Sequence, residues 1–447
     1  MNTEALKKQD FLPVLLGSDI NVYGMARSFH EAYGYKSVAV GKGILPACTH
    51  SHIVEVLKVE PRLEEDDVFV RTLTEFAKNF SGQRLLLVPC GDNYIKMLVR
   101  NQTKLRGIYE FECISEELLM RLSIKESFYQ VCEEHGFSFP KTTTCTYENH
   151  KNLELPFDFP VIIKPSNSVA YWNCKFPHKK KVFVANTREE FDAILDAIYG
   201  SSYKDHLILQ EFIPGDDSKM RVMNCYCGKD KKVKLIALGN AVLEEHSPEG
   251  IGSYAAIING YDEKLNETMK NFLEGIGYVG FANFDMKYDE RDGKYKLFEM
   301  NLRQGRSSYF VTAAGYNIAK WLADDVIYNK PMDLTIATNK VLYTIIPTKI
   351  IFDYCPDTAV KAEAKKLIDE GKVVNSYYYK KDRSLMRWLM FRRNQHNYFE
   401  KYKRYFNNKG LRDEQFRRYR RTRPHGDSVF IRAYHRHDRC PHRSGAS

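Results

Sequence analysis

The segment that most limits what this chain can fold into is GFANFDMKYDERDGKYKLFEMNLRQG, residues 280–305. Two strand-like runs, about Gly280–Tyr288 and Tyr295–Asn301, flank Asp292-Gly293, a dipeptide suited to the positive φ of a tight hairpin turn. Side chains alternate along a strand, so Glu299 and Asn301 share one face, and Asn283, Asp285 and Lys287 share a face of the partner. Pairing the strands brings Asp285, Glu299 and Asn301 within reach of one another. Hard divalent cations take oxygen ligands, and Mg²⁺ bound with a nucleotide uses one or two carboxylates plus phosphates. Taken alone, the same pattern also describes the solvated face of an ordinary hairpin.

Four upstream segments set the hairpin in a longer pattern. In order they are Ser123-Ile-Lys125-Glu126 at a helix start, Phe159-Pro-Val-Ile-Ile-Lys164-Pro165, Leu207-Ile-Leu-Gln210-Glu211-Phe212-Ile213-Pro-Gly-Asp216-Asp217, and Arg221-Val-Met-Asn. With the D…E-x-N hairpin, this order resembles the ATP-grasp superfamily over about Leu122 to Ala319. Within it the chain looks most like the D-aspartate ligases of Gram-positive cell-wall synthesis. That likeness extends to FLPVLLGSDINVYGMARSFHEAYG, FIPGDDSKMRV and FEMNLRQGRSSYFVTAAG.

The resemblance implies an ATP-dependent carboxylate–amine ligase working through an acyl phosphate. It implies ATP and Mg²⁺, with Mn²⁺ as an alternative, and joining of the β-carboxylate of D-aspartate to the lysine ε-amine of a UDP-linked muramyl pentapeptide. It places Asp285, Glu299 and Asn301 at the metal, Lys125 and Lys164 at phosphate, and Gln210, Glu211, Phe212 and Ile213 along adenine. Asp217 falls at the ribose hydroxyls. Arg221, Arg303 and Arg306 are anion candidates, because guanidinium offers paired donors to phosphate or carboxylate. Arg303 is assigned to the phosphoryl or acyl phosphate and Arg306 to a substrate carboxylate, two roles that could be exchanged. Structural readings stay open for each: a strand-end lysine reaching solvent, a turn at Pro214–Asp217, and salt-bridging arginines. The stretch after Lys164-Pro165, Ser166 to His178, has no glycine, unlike the flexible phosphate loop of many ATP-grasp enzymes. No general base stands out, although His246 and Glu244–Glu245 precede a loop that faces the expected substrate side.

The fold expected is α/β. A Rossmann-like domain occupies 1–120, an ATP-grasp small lobe 121–200, a large lobe with the metal hairpin 201–330, and a basic C-terminal extension 331–447. In the first of these, Leu12–Leu16, Val38–Val40 and Arg84–Val88 read as strands of an open parallel sheet, with a helix starting near Asn21. Ligands gather at the carboxyl ends of such strands, where Gly17–Asn21 and Gly91–Asn93 fall, although both loops also suit plain turns. Ser123 and Glu126 fit a capping box, and Thr187 with Glu190 caps a later helix.

Composition narrows the rest. With 43% hydrophobic and 13% aromatic residues, 447 residues support two to four subdomains. No apolar run approaches a membrane span, no signal peptide is apparent, and ten scattered cysteines match neither a zinc nor a redox motif. Reduced thiols in a cytoplasmic protein are expected. Residues 380–447 hold 20 of the 67 Lys and Arg but only 6 of the 57 Asp and Glu, so the catalytic body is mildly acidic and the tail basic. From Arg383 to Phe406 cations and aromatics interleave, and the last thirty or so residues read as poorly ordered. The tail fits an anionic precursor or an anionic membrane surface. Two further functions compete with the main one: an ATP-grasp ligase for another acid or amine, and a nucleic-acid or membrane-surface binder acting through the tail.

Overall fold

The computed structural model describes residues 3–406, apart from 167, 181, 248, 249 and 251. Strands β1 (Phe11–Leu16), β2 (Ser37–Gly41), β3 (Val54–Val59) and β4 (Arg84–Pro89) form a parallel sheet in the order β3-β2-β1-β4. β1 is buried throughout, which explains its unbroken apolar run. Its alternate residues fill two cores, Phe11 and Leu15 on one face, Leu12, Val14 and Leu16 on the other. The helix Ile20–Tyr33 begins where expected, with the Asp19 carboxylate accepting from the amides of Asn21 and Val22.

The second sheet is small and antiparallel. β5 (Thr142–Cys145), β6 (Val161–Pro165), β7 (Phe183–Ala185) and β8 (Leu207–Glu211) run in the order β5-β8-β6-β7. β8 therefore closes this sheet instead of opening the next, so the small-lobe sheet extends beyond residue 200. The reason is register: Leu207–Glu211 pairs on one edge with Pro165–Val161 and on the other with Cys145–Thr142. Helix Arg188–Tyr199 covers the sheet with Phe191, Ile194, Leu195 and Ile198, and its cap is the expected Thr187. The capping box expected at Ser123 is absent. Ser123 ends the helix Glu116–Ser123, which Ser115 caps, and Lys125–Glu134 starts directly after Ile124 with no side-chain cap.

The large sheet contains β9 (Met220–Cys227), β10 (Val233–Glu244), β11 (Tyr254–Gly260), β12 (Gly280–Asp289), β13 (Lys294–Asn301), β14 (Thr335–Ile336), β15 (Leu342–Thr344) and β16 (Val373–Asn375). Its order is β13-β12-β9-β10-β11-β15-β16, with β14 beside β10. The same two cores that enclose β1 continue over this sheet, through Val222 and Tyr226 on one face and Met223 and Cys225 on the other. Buried polar contacts join the two sheets as well: Ser28 Oγ lies 2.8 Å from Thr312 Oγ1, and Asn21 Nδ2 donates to Gln304 O at 3.0 Å.

Residues beyond 330 are part of this body as far as residue 406. β15 and β16 extend the large sheet, and the interleaved basic–aromatic stretch is a helix, Leu385–Tyr405. Arg387, Phe391, Gln395, Tyr398 and Tyr402 recur at helical spacing and are buried, while most of the cations between them face outward. Gln395 Nε2 donates to Ile345 O at 2.6 Å and Tyr402 Oη to Glu244 O at 2.6 Å. At the other end Arg387 donates to Ala47 O and Thr49 O and pairs with Asp382 at 3.1 Å. Asp382 also accepts from Tyr23 Oη and Ser51 Oγ, both at 2.9 Å. The expected disorder of the last thirty residues lies outside the described residues.

The Arg387 and Asp382 side chains are 2% and 0% exposed, so removing one strands the other's charge. Asp382→Ala should lower stability by about 3–5 kcal/mol in urea denaturation. A loss no larger than the ~1 kcal/mol of a surface pair would show that the pair does not anchor the helix.

Candidate active site

The β12–β13 hairpin turns through Gly293 at φ 68°, as the Asp-Gly signal implied. Asp285 stands opposite Glu299 and Asn283 opposite Asn301. Asn301 Nδ2 donates to both Asp285 Oδ2 and Asn283 Oδ1 at 3.1 Å, and Tyr254 Oη donates to Asp285 Oδ1 at 2.9 Å. Burial, reinforced by the neighbouring Glu299 carboxylate, raises Asp285 well above the usual carboxylate range, to about 7. Glu299 remains exposed. Two carboxylates and an amide oxygen fit a hard cation that shares its remaining positions with phosphates. Among the described residues there is no cluster of three His, Cys, Asp or Glu side chains placed to hold a metal unaided.

The register slips between Asp285 and Met286, leaving Phe298 as the extra residue of β13. The bulged Phe298 lies under Lys164, whose Nζ is 5.8 Å from the ring centroid. Lys164 Nζ also donates to Gln210 Oε1 at 2.8 Å, while Gln210 Nε2 donates to Tyr129 Oη at 2.6 Å and Thr142 Oγ1 at 3.0 Å. The buried Gln210 amide, expected near the adenine amine, is thus engaged in orienting Lys164. Lys125, half-buried, opens the helix that carries Tyr129 one turn later, on the same face.

After β8 the chain turns toward β9. Phe212 N donates to Pro160 O at 3.3 Å, and the Glu211 carboxylate accepts from Lys141 N at 3.0 Å and pairs with Arg291 at 3.3 Å. Lys287 Nζ donates to Ile213 O at 2.9 Å and Gly215 O at 2.6 Å, and lies 5.5 Å from the Phe212 ring. Sequence reasoning did not single out this lysine as a site residue. Its signal was a cation on a strand that is otherwise largely apolar, two residues past Asp285.

Asp217 departs from expectation. It is 2% exposed, and its Oδ2 accepts from Glu244 N at 3.1 Å and lies 2.7 Å from His246 Nε2. The preceding Asp216, half-buried, takes the capping position of the short turn, accepting from Ser218 N, and Asp217 turns inward. His246 is buried too, with its ring 4.8 Å from that of Phe406, so it holds the Asp217 carboxylate beneath the C-terminal helix. Arg221 is similarly occupied locally, donating to Ser218 O and Met220 O. In the glycine-free stretch, Lys179 Nζ donates to Cys174 O at 2.6 Å.

Arg303 and Arg306 face the N-terminal sheet. Arg303 pairs with Asp92 at 3.0 Å and reaches Asn301 Oδ1 at 3.4 Å, so it connects the Gly91–Asn93 loop to the carboxylate pair. Arg306 pairs with Glu245 at 3.2 Å and donates to Ser253 Oγ at 3.1 Å. Asp19 lies near both: burial raises its pKa, and the Val22 amide, Arg306 and Arg303 oppose the rise. Asn21 Nδ2 bridges Cys90 O and Gln304 O at 3.0 Å each. The carboxyl ends of β1 and β4 therefore meet the segment that follows the metal strand. This assembly brings two carboxylates, an ammonium and two guanidiniums onto neighbouring elements, a set able to hold a cation and a polyphosphate against a carboxylate.

No family model matches the chain. D-aspartate ligase of Enterococcus faecium (strain Aus0004) is 44% identical over 414 residues, covering 90% of this chain and 98% of that protein. Among solved structures, N5-carboxyaminoimidazole synthetase from Staphylococcus aureus superposes with a TM-score of 0.53 at 11% identity, over 75% of this chain and 82% of that one. Phosphoribosylamine–glycine ligase from Thermotoga maritima gives 0.52 at 14% identity, over 74% and 78%. At these identities the two structures share the fold alone, and it is the α/β ATP-grasp fold. By its likeness to the enterococcal enzyme, the chain belongs to the D-aspartate ligase family.

Proposed function

We propose that the protein joins the β-carboxylate of D-aspartate to the lysine ε-amine of a UDP-linked muramyl pentapeptide, using ATP. The observation that carries the reaction class is the continuous bonded path Asp285–Asn301–Arg303. It sets a cation site beside a guanidinium and, through Asp92, against the N-terminal sheet. The substrate pair follows the 44% identical relative. In this reading ATP lies between the two lobes, with adenine along Glu211–Ile213. Asp285, Glu299 and Asn301 would hold Mg²⁺, or Mn²⁺ in its place, and the ion when bound offsets phosphate charge. Lys164 and Lys125 contact phosphates. A carboxylate oxygen of the acid takes the γ-phosphoryl group and ADP departs. The neutral amine then attacks the acyl carbon, phosphate leaves, and the amine's extra proton passes to solvent or a carboxylate. Arg303 stabilises the transferring phosphoryl group and Arg306 binds the acid's second carboxylate.

A UDP-linked acceptor places the enzyme in the cytoplasm. The nine described cysteines are free thiols, and no described helix is long and apolar enough to cross a membrane. The basic C-terminal segment contributes contact with an anionic surface.

ADP release with ATP, Mg²⁺ and UDP-muramyl pentapeptide tests the reading, comparing D-aspartate, L-aspartate, D-glutamate and no acid. Turnover should require D-aspartate and yield a product heavier by one aspartyl residue. ATP binding without turnover on any acid would discard this substrate pair, and turnover on another acid or acceptor would replace it.

Metal binding should depend on pH. Because Asp285 is raised to about 7, it holds a proton below that pH, and the cation must displace it. Metal affinity at saturating ADP should therefore be about tenfold weaker at pH 6 than at pH 8, one proton being displaced. Asp285→Asn should bind weakly at both; wild-type affinity retained by Asp285→Asn would exclude Asp285 as a ligand.

Lys287→Met removes the two bonds that fix Ile213 and Gly215 while keeping the buried stem. KM for ATP should rise about tenfold, equivalent to ~1.4 kcal/mol, with kcat little changed. An equal fall in kcat at unchanged KM would place Lys287 in the chemistry instead of in holding the Ile213–Gly215 turn.

A further inference from the structure

The inner face of helix Leu385–Tyr405 is spent on the body, yet its first two turns also present large apolar side chains to solvent. Leu385 is 71% exposed, Met386 57%, Trp388 45% and Leu389 48%. The loop holding Ile44 and Leu45, both also exposed, is tied to the same helix end, because Arg387 donates to Ala47 O and Thr49 O. Exposed apolar residues are unremarkable singly, but six on two joined elements form a surface that needs an occupant.

The charge around it says which. Lys380, Lys381, Arg383, Arg392 and Arg393 are all exposed beside these side chains, and Arg392 lies over the Trp388 ring at 5.1 Å. From residue 380 to 399 the sequence has one acidic residue, Asp382, which is buried and consumed by Arg387. The first turn of the helix has no acidic residue, although a helix N-terminus favours one. The patch thus lacks negative charge where its own geometry favours it.

We propose that this face of the C-terminal helix, with the Ile44–Leu45 loop, docks on an anionic membrane surface. Leucine, methionine and tryptophan tips enter the acyl boundary while the surrounding cations meet headgroup phosphates. Charge disfavours the other occupants. A two-fold contact between copies would set the cation ring against itself. Residues 407–447, with 11 Lys and Arg against 4 Asp and Glu, would be repelled by the same ring. A nucleic acid would satisfy the cations but leave Leu385, Met386 and Leu389 in water. The inference does not depend on which acid or amine the enzyme joins.

Co-sedimentation of the full-length protein with phosphatidylglycerol–phosphatidylcholine vesicles, against pure phosphatidylcholine, tests it. Binding should need the anionic lipid. Trp388→Ser with Leu389→Ser should weaken it at least tenfold, as should Arg392→Glu with Arg393→Glu, and both variants should retain wild-type ADP release on the soluble acceptor. Three results would overturn the proposal: no binding to anionic vesicles, equal binding to neutral ones, or full binding by both variants, which would assign it to residues 407–447 alone.

Discussion

Two carboxylates held opposite one another across an antiparallel register, where burial raises one of them to about 7, are the constraint around which this molecule is arranged. Such a pair is costly without a cation, since like charges close together oppose each other's ionisation. Asn301 and Tyr254 donate to Asp285 and so reduce the cost without removing it. The strand that bears this charge also bears Lys287, two residues further along, which fastens the Ile213–Gly215 turn. At ~3.3 Å per residue, β12 therefore spaces the carboxylates from that turn by a fixed length of extended backbone.

The other partners reach the pair from separate parts of the chain. The bulge at Phe298 seats Lys164 from the small sheet, and Arg303 draws in Asp92 from the end of β4. Each contact joins residues more than a hundred positions apart. The second follows from the parallel sheet, whose carboxyl strand ends collect the loops that approach the end of β13.

What the sequence disclosed and what it withheld divide along the same line. Local signals were sufficient for β1, the start of the helix after it, the cap at Thr187, and the hairpin with its turn glycine, because periodicity and turn chemistry are short-range. The adjacency of Asp285, Glu299 and Asn301 was legible for the same reason: strand alternation and hairpin pairing bring them together. Pairing between distant strands was not legible. That is why β8 belongs with the small sheet, and why β15 and β16 complete the large one. Asp217 shows the finer limit. Of two adjacent aspartates, only three-dimensional packing decides which caps the turn and which is drawn under His246. Ser123 failed as a cap because it is the last residue of the preceding helix, so the extended position before Lys125 falls to Ile124, which has no side-chain acceptor.

The C-terminal helix joins these two kinds of information. Its composition reads as a basic tail, yet its aromatic residues fall at helical spacing and face inward. One end of the helix is bound to the N-terminal sheet through Arg387 and Asp382. The other presses Tyr402 on Glu244 and Phe406 on His246, beside the Glu245 that holds Arg306. A single helix therefore spans from the N-terminal domain to the loop whose Glu245 pairs with Arg306. Any load carried on the exposed side of that helix bears on an element already coupled to the active site. The helix thus has two faces with different duties, an inner one that fixes the site and an outer one whose apolar and cationic groups remain to be covered.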